Sequence, residues 1–237
     1  MEKLGLNERY HSLLGRVAEA ARQAGRDPDT VRIVAVTKYA HQDEARALLD
    51  CGIRDLGESK VQAALSRRAA LSEYHPRWHL IGHLQTNKVN KVVGAFALIH
   101  SVDSWRLAEA LNTASVARGV VQPVLFQVNS AADPGKFGLN PVEVRAVVER
   151  AFHELPGLRV CGLMTMAPQA ATSEIVRSCF RRVRMLLSEV AARNEEQIQF
   201  KELSMGMSQD FPEAIAEGAT MIRIGSAIFG GGAATAD

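Results

Sequence analysis

The sequence predicts an α/β protein, a single (β/α)8 TIM barrel with an additional N-terminal helix. Three observations predict it. Short β-branched runs alternate with longer segments of helical periodicity along the whole chain. The strand runs are too apolar to alternate, as expected of parallel strands covered on both faces. The 237 residues suit one such domain, which typically takes about 250. No linker rich in Pro, Gly or Ser divides the chain, so residues 1–237 read as one domain.

The elements follow in order. Over 7–24 apolar residues recur at helical spacing (Leu13, Leu14, Val17, Ala20, Ala21, Ala24), and Gly25 stands where a C-terminal cap belongs. Residues 31–36 form the first strand. A helix over 43–51 stops at Gly52, a strand over 53–56 follows, and 58–71 is helical again. Further strands are expected at 78–81, 97–100, 124–128, 159–162, 202–204 and 221–224, separated by helical patterns at 87–94, 104–118, 141–150, 172–193 and 211–217. These strand runs number eight, as the barrel needs, and the weakest are 53–56 and 202–204. An open doubly wound sheet shares this alternation and is the other reading. Residues 230–237 read as a flexible tail.

Composition narrows the function classes. Hydrophobic residues make up 47%, charged residues 23% and aromatics 5%, so burial comes mainly from Ala, Val, Leu and Ile. A net charge of +2, from 28 basic and 26 acidic residues, gives no field that calls for a polyanion. Nucleic acid is not expected, and Arg177, Arg181, Arg182 and Arg184 read as a solvated helix face. Cys51, Cys161 and Cys179 lack C-x-x-C spacing and read as reduced, mostly buried thiols. The N-terminus has no apolar signal segment and no stretch reaches the ~20 apolar residues of a membrane span. No membrane association is expected, and the expected location is cytoplasmic.

Lys38 directly follows the first strand, at the carboxyl end where barrel active sites lie. Desolvated by apolar neighbours, its amine would be neutral and able to attack an aldehyde; left in solvent, it would merely leave the strand. Residues 204–208 (Ser-Met-Gly-Met-Ser) and 223–230 (Arg-Ile-Gly-Ser-Ala-Ile-Phe-Gly) follow the last two strands. Loops in those places commonly bind phosphate. Gly206 and Gly225 let the backbone approach closely, and the hydroxyls of Ser204 and Ser226 can donate. Arg223 sits between Ile222 and Ile224, so alternation turns it into the barrel or its mouth. Its partner there is either a ligand atom or a carboxylate such as Glu58. His79 and His83 lack the helical His-Glu-x-x-His pattern of a zinc site, and no metal is expected; His79 reads as orienting a neighbour. Asn87, Lys88 and Lys91 read as a polar rim at a barrel end or a solvated helix face.

Residues 78–88 (Trp-His-Leu-Ile-Gly-His-Leu-Gln-Thr-Asn-Lys) closely resemble the signature of the pyridoxal-phosphate homeostasis family (YggS/PROSC type). Residues 36–38, 56–58, 162–164, 203–208 and 223–230 match in family order as well, so the resemblance spans essentially the whole chain to Gly230. It implies a barrel like the N-terminal domain of alanine racemase, carrying pyridoxal 5'-phosphate (PLP) as a Schiff base on Lys38. It further implies that Ser204, Gly225 and Ser226 contact the phosphate, with the Met205 amide added, and that Arg223 faces the pyridine nitrogen. Departures stand at Ser59 and Lys60, where the family commonly has Asn-Tyr, and at His83, where proline is common. Gly135-Lys136-Phe137-Gly138 only approximates the family's Lys-Ser-Gly segment.

The function this implies is non-catalytic: a monomer that stores, buffers or delivers PLP, with PLP-dependent apoenzymes as candidate partners. A PLP-dependent racemase or decarboxylase is the alternative. Against it stand Arg223 in place of a carboxylate, which weakens the ring as an electron sink, and a chain ending about seven residues after Gly230, without the racemases' C-terminal β domain. A cofactor-free class I aldolase, with Lys38 capturing a sugar phosphate, is a third reading.

Overall fold

The computed structural model describes residues 5–131, 133 and 135–230. Eight parallel strands close on themselves: β1 (Arg32–Val36), β2 (Asp55–Glu58), β3 (Arg77–Leu80), β4 (Leu98–Val102), β5 (Gln122–Gln127), β6 (Leu158–Met164), β7 (Glu202–Ser204) and β8 (Met221–Ile224). Closure rests on the β1–β8 ladder, with Arg32, Ile33, Val34 and Ala35 opposite Met221, Ile222, Arg223 and Ile224. The doubly wound alternative is thereby excluded. Both weak candidates pair, β7 with β6 and β8, and β2 with β1 and β3. The second strand is displaced to Asp55–Glu58. Gly52, at φ +96°, lies in the turn that ends the preceding helix, and residues 53–54 connect that turn to the strand. Glu58 thus belongs to β2, and the following helix starts only at Val61.

The helices are α1 (Leu6–Gln23), α2 (Gln42–Asp50), α3 (Val61–Ala70), α4 (Val89–Val92), α5 (Trp105–Ala117), α6 (Val144–Glu154), α7 (Ser173–Arg193), α8 (Phe211–Ala216) and α9 (Ser226–Phe229). Ser104 Oγ accepts from the Leu107 amide and Thr172 Oγ1 from that of Ile175, which satisfies N-terminal donors of α5 and α7. The extra helix α1 packs on α2, α8 and α9 through Tyr10, Leu13, Val17 and Ala21. Its Arg9 Nε donates to the Ile228 carbonyl at 2.6 Å. Gly25, at φ +66°, ends it as the sequence predicts.

Two apolar regions result. The larger lies between strands and helices and takes the outward residues of each strand, such as Leu56, Trp78, Leu80, Ile99 and Ile222. Full burial of such a side chain contributes about 1.5–3 kcal/mol. The smaller fills the barrel interior with Val34, Leu98, Leu125, Met164 and Met221. A register shift in the β5–β6 pair, where Val124 faces Val160 but Leu125 faces Gly162, puts one extra residue into β6. At Gly162 a Cβ would lie 2.0 Å from the Glu202 carbonyl oxygen, so only glycine fits.

Of the three thiols only Cys179 is buried; Cys51 and Cys161 are half-buried, because both lie at the margins of these regions. The arginine-rich face of α7 is partly pinned rather than solvated: Arg181 and Arg184 pair with Glu217, and Arg182 donates to the Ser130 carbonyl. Among the described residues no helix is long and apolar enough to cross a membrane. Residues 231–237 of the expected tail lie outside the described residues.

Candidate functional site

The carboxyl ends of the strands gather the candidate residues at one mouth. Thr37 ends the first strand's run fully buried: its amide donates to the Gly57 carbonyl at 3.0 Å and its hydroxyl to Glu58 Oε1 at 2.6 Å. This pins the backbone immediately before Lys38. Lys38 itself is exposed, so the expected wrapping by apolar neighbours is not met. Its Nζ lies 4.7 Å from the centre of the Tyr39 ring, a cation–π contact, and among the described residues it makes no ion pair. Glu58 is nearby and buried. Burial pushes its carboxyl above the usual value, against the Thr37 hydrogen bond and the charges of Arg67 and Lys38.

Arg223 points inward, as alternation predicts, and is 4% exposed. Its Nη1 donates to Ser204 Oγ at 2.7 Å and its Nη2 to the Thr165 carbonyl at 2.9 Å. The alternative partner Glu58 is engaged elsewhere, 3.1 Å from Arg67 Nε, because it faces α3 rather than the interior. Burial lowers the Arg223 pKa to about 10, with the Asp210 charge opposing. It remains a cation at neutral pH, and it can only donate.

The two loops after β7 and β8 are tightly built. Gly206 adopts φ +93°, and a Cβ there would lie 2.5 Å from that of Ala214, so α8 sits directly against the loop. Asp210 Oδ1 accepts from the Met207 amide at 2.5 Å, and Ser208 Oγ accepts from the Ala227 amide at 3.3 Å, tying the β7 loop to α9. Two expected phosphate donors are already committed. Ser204 is fully buried with Oγ between His100 and Arg223, and the Met205 amide donates to the Met221 carbonyl at 3.1 Å. Both face the barrel interior or its ladder. The backbone amides of Gly206, Gly225 and Ser226 find no acceptor among the described residues. The Ser226 side chain is exposed beside them.

The rim is built around His83, Ser59 and Lys60. His83 stacks on Phe137 with ring centres 3.9 Å apart, and its Nδ1 lies 2.8 Å from Asp103 Oδ2. With Ser59, Lys60, Gln85, Lys88 and Lys91 it lines a cavity of about 300 Å³, which brings Lys60 beside Lys88 and Lys91 but does not include Asn87.

Sequence reasoning missed His100, Asp55, Thr165, Ser208 and Asp210. A signal existed for His100: it lies two residues beyond the inward Leu98 and therefore on the inner face. His79, read as orienting a neighbour, does so, with Nδ1 2.8 Å from His100 Nε2. Among the described residues no three His, Cys, Asp or Glu side chains cluster as a metal site.

An exposed amine, unpaired amides and a buried cation around one mouth suit a ligand with an aldehyde, a phosphate and a basic ring. A closed (β/α)8 barrel furnished in this way is of the alanine racemase N-terminal class, and the family described as "Alanine racemase, N-terminal domain" matches residues 12–233. Within it, the chain belongs to the pyridoxal phosphate homeostasis protein family. A protein of that name from Aquifex aeolicus is 38% identical over 223 residues, covering 94% of this chain and 96% of its own. One from Mus musculus is 34% identical, covering 96% and 87%. The solved structure of PipY from Synechococcus elongatus without PLP is 36% identical, with a TM-score of 0.85 and coverage of 95% and 100%. PipY with PLP bound gives a TM-score of 0.79 at the same identity, covering 90% and 100%.

Proposed function

We propose that this protein binds PLP through a covalent link to Lys38 and serves vitamin B6 homeostasis. In this reading it stores, buffers or delivers the cofactor without robust catalytic turnover, as a cytoplasmic monomer that can hand PLP to PLP-dependent apoenzymes. The observation that carries the reading is the solvent-exposed Lys38 amine, free of ion pairs among the described residues, at the mouth that holds the unpaired amides and Arg223. Bound PLP supplies an aldehyde for the amine and an electron-withdrawing pyridine ring.

Each residue has a physical task. Lys38 is the nucleophile, and its exposure lets water or a competing amine reach the link, which reversible storage requires. Gly225 and Ser226, with the Gly206 amide, offer donors to the phosphate. Ser204 and Met205 form the floor beneath them. Arg223, a buried donor, leaves the ring nitrogen unprotonated and so weakens the ring's electron withdrawal, which favours holding over turnover.

The absorbance spectrum of the purified protein tests this. A band characteristic of lysine-linked PLP, absent in Lys38→Ala, is the expected result; a wild-type protein that takes up PLP without such a band contradicts it. A panel of amino acids assayed for racemisation and decarboxylation separates the enzymatic alternative. Turnover abolished by Lys38→Ala would overturn the non-catalytic role.

A further inference from the structure

A continuous line of hydrogen bonds crosses the barrel interior. At one end Arg77 donates to Asp55, from Nε to Oδ1 at 2.9 Å and from Nη2 to Oδ2 at 2.5 Å. Asp55 Oδ1 lies 2.8 Å from His79 Nε2, His79 Nδ1 lies 2.8 Å from His100 Nε2, and His100 Nδ1 lies 2.8 Å from Ser204 Oγ. Ser204 Oγ accepts from Arg223 Nη1, whose other terminal nitrogen donates to Thr165. Asp55, His79, His100, Ser204 and Arg223 are each at most 4% exposed. They come from β2, β3, β4, β7 and β8, so only barrel closure assembles them.

The two ends dictate the order of protons between them. A carboxylate only accepts, so His79 Nε2 carries a hydrogen. On a neutral His79, Nδ1 then has only a lone pair, and His100 Nε2 must be the donor. His100 Nδ1 in turn accepts the Ser204 hydroxyl hydrogen, and a free lone pair of Ser204 takes Arg223. Every polar atom in the line is satisfied. The reverse order needs an added proton on His79 and turns two donors toward Ser204, whose own hydrogen then loses its acceptor; burial makes that costly. The electrostatics agree. Burial pushes the Asp55 carboxyl up, but hydrogen bonds from His79 and Arg77 outweigh it and hold it below the usual range. Burial first, with the cations of Arg223 and Arg32 adding to it, keeps His100 well below the usual imidazole value.

We propose that Asp55, His79, His100 and Ser204 are positioning residues, forming a one-directional relay that anchors Arg223 as a rigid donor toward the ring of the bound cofactor. This rests on the PLP reading above. A guanidinium held at both terminal nitrogens cannot swing away, so the relay fixes the electrostatic environment of the ligand's ring nitrogen from the far side of the barrel.

Two measurements test it. Nitrogen-15 NMR of the apoprotein, with labelled histidine at neutral pH, is expected to show His79 and His100 as neutral Nε2–H tautomers. An Nδ1–H tautomer at either position, or a cationic His100, overturns the relay. Titration with PLP labelled at its ring nitrogen gives the second reading. His100→Phe is expected to weaken PLP binding about tenfold and to move the ring-nitrogen signal, as loss of one buried hydrogen-bonding partner predicts. His100→Gln, which can both donate and accept, is expected to restore affinity to within about threefold. If His100→Phe fails to fold, Ser204→Ala removes only one hydroxyl and takes its place. A folded variant with unchanged affinity and ring-nitrogen signal overturns the positioning role. A wild-type protein that takes up no PLP overturns the proposed function and the ring-directed part of this inference, while the tautomers still judge the relay by themselves.

Discussion

The layer outside the strands and the space inside them are built on opposite terms. Outside, dozens of Ala, Val, Leu, Ile and Phe side chains pack between strands and helices, and almost any residue of similar size and polarity serves. Inside, five apolar residues share the barrel with a line of buried polar side chains in which every atom needs its own partner. The outer layer therefore determines that a barrel forms. The interior determines what its mouth can hold.

Substitutions can break or sharpen that contrast. The largest effect is expected at Gly162, where β6 touches β7: Gly162→Val drives a side chain into the backbone of Glu202 and should cost more than about 4 kcal/mol in urea unfolding. In the outer layer, Leu111→Ala on α5, fully buried, should cost about 2–5 kcal/mol. Its PLP affinity should stay at the wild-type value by titration, and a loss of affinity there would blur the distinction between the regions. In the interior, Ser204→Ala should cost only about 1–3 kcal/mol, because it strands one donor and one acceptor. Despite the smaller stability loss, it should weaken PLP binding.

Acid adds a fourth measurement. His100 has a folded pKa depressed well below the imidazole value, so the unfolded chain binds its proton first as pH falls. The stability it contributes is present above about pH 6.5 and is lost as pH falls toward the depressed value, with a slope of up to about 1.4 kcal/mol per pH unit. Thermal melts from pH 7.5 to 5 should show this fall, and His100→Gln should flatten it. The smallest effect belongs to the rim: Asp103→Asn loosens the partly exposed His83 contact and should change stability by less than about 1 kcal/mol.

Legibility in the sequence follows the same division. The outer layer is readable because it is periodic: apolar runs bounded by Gly25 and Gly52 mark the first elements to within a few residues. The second strand slipped because Ile53, although apolar, lies in the connection between α2 and β2, and the register that recruits Asp55 depends on β3. The placement of Lys38 at a strand end and of Arg223 between two isoleucines was legible from position, whereas a cofactor role for them came only with the family resemblance. The sequence does not reveal that the Ser204 hydroxyl and the Met205 amide already have partners in the neighbouring strands. The relay was not legible, because Asp55, His79, His100, Ser204 and Arg223 span 169 positions (from 55 to 223) and meet only across a closed barrel.

The central claim is the covalent anchor, and peptide mapping after borohydride reduction of the PLP-loaded protein tests it most directly. The account predicts a phosphopyridoxyl mass on the peptide containing Lys38 and its loss from that peptide in Lys38→Arg. The label on Lys60, Lys88, Lys91 or Lys136 instead, with Lys38 unmodified, would contradict it.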